Sequence, residues 1–118
     1  MSKKLGLALG SGGARGIAHI GFLQALEEGG IKPDFVTGCS MGAIVGACYC
    51  AGLNAKTIQE QAYKLRVSRI ATLNMAPIHA NGLFQLTKSR KLMTDLIGEK
   101  SFEELEIPFL CVATDLLN

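Results

Sequence analysis

Hydrophobic positions along the chain follow two alternating patterns, short apolar runs and repeats at helical spacing. The runs predict buried parallel strands over residues 4–9, 35–37 and 109–114. The helical repeats predict four helices, the first two of which end at glycines: 15–28, 41–51, 55–69 and 89–97. Residues 70–87 fit neither pattern and carry turn signals, which is typical of a binding loop or lid. The order β-α-β-α-α-α-β predicts an α/β fold, a parallel sheet with helices on both faces.

The composition fits one globular domain. Hydrophobic residues make up 48% and charged residues 19% of the 118 residues, so the chain can bury a core. The net charge of +2 provides no basic surface for nucleic acid, and we expect no nucleic-acid partner. Residues 35–55 are uncharged and long enough to span a bilayer, but their glycines and polar residues favour a strand, a turn and a buried helix. We therefore expect a cytoplasmic protein.

The four cysteines, Cys39, Cys48, Cys50 and Cys111, lie in apolar stretches. No C-x-x-C pair occurs, and Cys48 and Cys50 are too close together for a usual pair of zinc ligands. We interpret all four as buried free thiols that pack as small hydrophobic side chains, and we expect no metal. Free thiols indicate a reducing compartment.

A G-x-S-x-G motif, Gly38-Cys39-Ser40-Met41-Gly42, joins the second predicted strand to the following helix. At such a junction a serine is held in a strained conformation with its hydroxyl exposed. The supporting glycines, Gly38 and Gly42, allow strand and helix to approach closely, and the helix N-terminus favours developing negative charge. The motif predicts that Ser40 is a catalytic nucleophile. An ordinary glycine-rich turn with a capping serine is the alternative.

A second glycine-rich segment, Gly10 to Gly16, lies between the first strand and the first helix. Its backbone N–H groups can bind an anion, either a nucleotide phosphate or the oxyanion of a tetrahedral acyl intermediate. A dinucleotide site is disfavoured because Arg15 occupies the third glycine position of G-x-G-x-x-G and no acidic residue ends the second strand. The lysine of a P-loop is also missing.

Together the two motifs resemble those of the patatin-like phospholipase family, particularly its small bacterial members. SGGARG at residues 11–16 is similar to the family's G-G-G-x-[RK]-G loop, with Ser11 in place of the first glycine. GCSMG at residues 38–42 follows in the family's order, and ATDL at residues 113–116 also looks like a family sequence. The resemblance covers essentially the whole chain. It implies a patatin-like, three-layer α/β/α fold that needs neither a metal nor an organic cofactor.

The resemblance also implies a lipid acyl hydrolase with a Ser-Asp dyad. In this mechanism Ser40 attacks an ester carbonyl, and N–H groups of Gly12, Gly13 and Met41 bind the oxyanion, each contributing about 3–4 kcal/mol. The family's general base is the aspartate of a D-G-[GA] motif, and no D-G pair occurs in residues 1–118. We therefore expect a truncated version of the fold. In that case residues 1–118 are the N-terminal part of a single catalytic domain, and the base lies in the C-terminal part.

Other polar residues near these motifs are weaker candidates. Asp115 is the nearest substitute for the missing base, because it follows the third predicted strand, whereas Asp34 precedes its strand and Asp95 lies on a helix. We interpret His19 on the first helix as packed or capped rather than catalytic. Arg15 matches a cationic position of the family's loop, where it either supports the loop or contacts a lipid phosphate.

We expect the substrates to be phospholipids, lysophospholipids or related acyl esters, reached through transient contact with a membrane surface. A catalytically silent binding or regulatory module of the same fold is the alternative, favoured by the missing aspartate. Because a truncated sheet leaves an unpaired edge, we also expect the chain to self-associate. Apolar side chains of the irregular segment are candidates for acyl-chain contact and equally for the core: Ile70, Leu73, Met75, Ile78, Leu83 and Phe84.

Overall fold

The computed structural model describes residues 3–73, 90–115 and 117, and its elements follow the predicted order. Two short 3-10 segments, Gly13–Ile17 and Phe102–Glu104, precede the first helix and the last strand. The strands are β1 (Gly6–Leu9), β2 (Phe35–Gly38) and β3 (Phe109–Cys111). The helices are α1 (Ala18–Glu28), α2 (Met41–Cys50), α3 (Ala55–Leu73) and α4, residues 90–97.

The three strands form one parallel sheet in the order β1-β2-β3. In the central row of the sheet, Leu7 lies opposite Val36, which lies opposite Phe109. The predicted α/β fold with a parallel sheet is therefore confirmed. All three strands end at the same edge, so the segments that follow β1 and β2 leave the sheet side by side.

The described helices cover one face of this sheet. That face carries Leu9 and Val36, which are 3% and 1% exposed. The opposite face carries Phe35 and Leu110, which are 45% and 64% exposed. Right-handed crossovers that always step in the same direction place every helix on the same side of a parallel sheet. Helices on the second face therefore require a reversal of strand order, and the three described strands contain none.

Helix α2 packs directly on the sheet because several of its residues are small. A Cβ at Gly46 would lie 2.9 Å from the Phe109 ring. At the far end of this layer, the Glu27 carboxylate accepts a hydrogen bond of 2.8 Å from the Ala55 N–H and so joins α1 to the start of α3. The buried core between helices and sheet consists of Leu9, Ile20, Leu23, Val36, Val45, Cys48, Tyr49, Cys50, Ala55, Ile58 and Ile107.

The cysteines divide into two pairs. Cys48 and Cys50 are buried free thiols, as predicted, and burial raises their pKa to about 11 and about 12. The interpretation of Cys39 and Cys111 as buried is wrong, since both are exposed. Cys39 lies in the turn after β2, and Cys111 is the last residue of a strand that the described residues pair on one side only.

Two further predictions about the fold concern the irregular segment and a possible membrane span. Residues 70–73, expected to be irregular, continue α3. The rest of the irregular segment, with Met75, Ile78, Leu83 and Phe84, lies outside the described residues. Within the described part of the chain, no helix combines the length and the hydropathy needed to cross a membrane.

Candidate active site

Ser40 lies between β2 and α2, at the edge of the sheet where the strands end. Its backbone angles are φ 55° and ψ −122°. Among the described residues it is the only non-glycine residue with a positive φ. These angles are those of the first central residue of a type II′ turn, a position that glycine normally occupies, and a side chain there costs roughly 1–3 kcal/mol. The Ser40 side chain is exposed and makes no capping hydrogen bond to α2, so helix capping does not explain the serine.

Gly38 and Gly42 bring three backbone segments into direct contact around this serine. A Cβ at Gly38 would lie 2.6 Å from the Ala43 Cα, and a Cβ at Gly42 would overlap the carbonyl oxygens of Leu9 and Gly10. Neither position accepts a larger residue without a shift of the backbone. The serine turn, residues 38–42, is therefore fixed against the end of β1.

The glycine loop, residues 10–16, leaves β1 at this point of contact. Gly12 and Gly13 both have positive φ, 92° and 54°. The Arg15 N–H donates a hydrogen bond of 3.0 Å to the Gly12 carbonyl and closes the turn. The Arg15 side chain itself is exposed. The loop thus depends on two consecutive residues in a conformation that side chains rarely adopt.

The glycine loop packs against the first residue of α2. A Cβ at Gly16 would lie 2.5 Å from the Met41 Cγ. No backbone carbonyl among the described residues accepts a hydrogen bond from the N–H groups of Gly12, Gly13 or Met41. Gly12 and Gly13 are exposed and Met41 is half-buried, so these three N–H groups on two adjoining segments are accessible to an anionic ligand.

His19 connects α1 to the start of the glycine loop. Its Nε2 lies 2.7 Å from the Gly10 carbonyl oxygen. Since a carbonyl only accepts, this nitrogen carries the proton and donates. His19 is half-buried and held by the protein, in agreement with the interpretation as a packed or capped residue. With Nε2 engaged in this way, it is not available as a base for Ser40.

The aspartates lie in three different environments. The Asp34 Oδ2 accepts a hydrogen bond of 2.6 Å from the Leu5 N–H at the edge of the sheet where the strands begin, away from Ser40. Asp95 is exposed on α4. β3 ends at Cys111 rather than at residue 114, so Asp115 lies beyond the strand, where its Oδ1 accepts a hydrogen bond of 2.8 Å from the Leu117 N–H.

Two features of the surface bear on ligands. A cleft of about 370 Å³ opens at the amino ends of the strands, between Glu27, Tyr49 and Glu106, and no residue of the serine turn or the glycine loop lines it. The described residues also contain no cluster of three side chains able to hold a metal ion. Ser40, Met41 and the glycine loop with Gly12, Gly13 and Arg15 lie at the edge of the sheet where the strands end, and the two segments touch where Gly42 meets Gly10 and where Gly16 meets Met41.

Sequence reasoning did not identify Gly10 and Gly16 as individual site residues. Gly10 presents its carbonyl to both His19 and Gly42, and Gly16 contacts Met41. The available signal was their position at the two ends of the glycine-rich segment. What each glycine touches depends on how the loop lies on α2, which the spacing along the chain does not specify.

Comparison with known proteins yields one family and several relatives. The family model of patatin-like phospholipases matches residues 7–117. An uncharacterized NTE family protein of Mycobacterium tuberculosis is 42% identical over 116 residues, which are 98% of this chain and 32% of that protein. The neuropathy target esterase of Drosophila melanogaster is 38% identical over 117 residues, which are 95% of this chain and 8% of that protein. The chain therefore spans about a third of the mycobacterial relative and a smaller part of the insect one.

Proposed function

Since the chain belongs to the patatin-like phospholipase family, we propose that it supplies the nucleophile and the oxyanion-binding groups of a lipid acyl hydrolase. One observation carries the proposal. An exposed serine in a strained, uncapped conformation lies next to a loop and a helix N-terminus whose N–H groups lack described backbone acceptors. This arrangement suits attack on a carbonyl carbon, with the resulting negative charge received by the adjoining donors.

In the proposed acylation step, the Ser40 Oγ attacks the carbonyl carbon of an ester and its proton passes to a general base. We assign the base to an aspartate outside residues 1–118, on the strength of the family resemblance. The C–O bond to the alcohol then breaks, and the alcohol leaves with the proton from the base. Water attacks the resulting acyl-serine in the second step, which releases the carboxylic acid and returns a proton to Ser40.

The oxyanion of each tetrahedral intermediate is proposed to bind the N–H groups of Gly12, Gly13 and Met41. The positive φ at both glycines and the contact of Gly16 with Met41 support this assignment, since together they fix the loop beside the first turn of α2. A single donor of this kind contributes about 3–4 kcal/mol to the transition state. The N-terminal dipole of α2 adds to the same stabilisation.

The proposed substrate is an acyl ester of a lipid or phospholipid. Ile44, in the first turn of α2, and Ile17, the residue after the glycine loop, are 36% and 40% exposed. These apolar side chains beside the serine turn support an acyl chain as the bound group. Arg15 is the candidate for a lipid phosphate, because it is an exposed cation within the glycine loop. The relative from Drosophila is named as an esterase, which fits the same bond type.

The experiment is hydrolysis of p-nitrophenyl butyrate by the protein expressed from the whole gene and by its Ser40→Ala variant. We expect the variant to lose hydrolysis while its Tm stays nearly unchanged, because the Ser40 side chain makes no capping contact. Cys39→Ser is the matched control, since Cys39 is exposed in the same turn and is the other possible nucleophile there. Activity in Ser40→Ala above a few per cent of the wild-type rate would contradict the proposal. An inactive wild-type protein would favour the silent module.

A further inference from the structure

The Gly10 carbonyl is the point at which three segments of the site meet. It accepts the hydrogen bond of 2.7 Å from His19 Nε2, in the first turn of α1. On another side it lies against Gly42, two residues after Ser40, so closely that a Cβ there would overlap it. Gly10 is also where the chain leaves β1 and enters the glycine loop. Its orientation therefore affects the loop and the serine turn together.

The glycine loop has few other constraints at this end. A Cβ at Gly10 or Gly13 would meet nothing within 4 Å, so no neighbour packs against the side-chain position of either residue, and at Gly10 it is the carbonyl side that makes contacts. The loop's far end is closed by the Arg15 N–H and by the contact between Gly16 and Met41. Glycine samples more backbone conformations than any other residue, so an open glycine segment requires fixing at both ends to hold its N–H groups in place.

We propose that His19 is the positioning residue that fixes the near end of the glycine loop for catalysis. This inference rests on the proposed function, because it concerns the N–H groups of Gly12 and Gly13 as oxyanion donors. His19 acts through the Gly10 carbonyl and does not exchange protons with the substrate. Its Nε2 donates to a carbonyl oxygen that can only accept, so the ring acts here as a hydrogen-bond donor.

The test compares three substitutions at His19 in the protein expressed from the whole gene. The amide nitrogen of glutamine lies at about the reach of Nε2, whereas that of asparagine corresponds to Nδ1 and falls short of the Gly10 carbonyl. We expect His19→Asn and His19→Ala to lower kcat roughly 10- to 100-fold with little change in KM, since a displaced donor affects the transition state more than the bound substrate. His19→Gln should restore most of kcat. Gln24→Ala is the control, because Gln24 is exposed on the same helix and bonds only to Glu28 in the described residues.

A second measurement does not depend on catalysis. Amide hydrogen exchange of residues 10–16, followed by mass spectrometry, should be faster in His19→Ala and His19→Asn than in wild type, and close to wild type in His19→Gln. We expect the same variants to be affected in both measurements, with His19→Ala and His19→Asn changed and His19→Gln close to wild type. Equal kcat in all variants, a loss of activity in His19→Gln as large as in His19→Ala, or unchanged exchange would each overturn the proposal. A failure of Ser40→Ala to abolish hydrolysis would instead refute the proposed function, and the exchange experiment would still decide whether His19 holds the loop.

Discussion

The positive φ of Ser40 makes an unusual prediction, that removing its side chain stabilises the protein. In Ser40→Gly the backbone keeps φ 55° and ψ −122° without a Cβ, whereas Ser40→Ala keeps the Cβ and therefore the strain. The two variants lack the same hydroxyl. Their difference in stability therefore reports the backbone strain at this one residue, less the effect of glycine on the unfolded chain.

The magnitude follows from two opposing contributions. Relief of the strain is worth roughly 1–3 kcal/mol. The greater freedom of glycine in the unfolded chain offsets about 0.5–1 kcal/mol of that gain. No capping hydrogen bond is lost, because the Ser40 side chain makes none to α2. The two contributions leave Ser40→Gly up to about 2.5 kcal/mol more stable than Ser40→Ala, and each kcal/mol raises Tm by about 2–4 °C in a folded unit of 150–250 residues.

The assay is thermal and urea unfolding of both variants in the whole gene product. The neighbouring exposed residue provides a matched control, since Cys39 does not have a positive φ. Cys39→Gly should be less stable than Cys39→Ala by about 0.5–1 kcal/mol, the reverse order. If glycine and alanine have the same order of stability at positions 39 and 40, Ser40 is not strained and the prediction is refuted.

Three other predictions concern the loop, the base and the sheet. In Gly13→Ala the added Cβ meets nothing within 4 Å, but an alanine is strained at φ 54°, so we expect the protein to fold and the loop to shift. The displaced donor should lower kcat roughly 10²-fold, and a kcat equal to wild type would remove Gly13 from the oxyanion site. The 118-residue chain alone should hydrolyse p-nitrophenyl butyrate at least about 10³-fold more slowly than the whole gene product, because it has no D-G pair to supply the base. Equal rates would place the base within residues 1–118 and make Asp115 the first residue to mutate. By light scattering the 118-residue chain should be larger than a monomer, because Phe35 and Leu110 are exposed and the described sheet has unpaired strand edges. Leu110→Lys should reduce this association, and a monomeric wild-type chain would contradict the prediction.

The order of elements was predictable because each signal is local. Apolar runs that end at glycines define β1 and β2. The small apolar residues of α2 indicate a helix packed against the sheet. The position of Ser40 at a strand-to-helix junction follows from the same signals. These predictions need no knowledge of which segments meet in space.

The differences from prediction arise where tertiary contacts decide. β3 ends at Cys111 because β2, its described partner, ends at Gly38, beyond which the chain turns at Ser40. The start of the first predicted helix is a 3-10 segment, since the positive φ at Gly13 and the contact of Gly16 with Met41 favour a tighter turn. Which face of the sheet the described helices cover depends on strand order, which hydrophobic spacing alone does not reveal.

The proposed mechanism depends above all on Ser40 as the nucleophile. The most direct test is reaction of the whole gene product with a fluorophosphonate ester, followed by protein digestion and mass spectrometry to locate the modified residue. We expect one phosphonate adduct on the Ser40 Oγ, formed with loss of hydrolytic activity and absent from Ser40→Ala. An adduct on a different residue that accompanies the loss of activity, or equal labelling of Ser40→Ala, would contradict the mechanism.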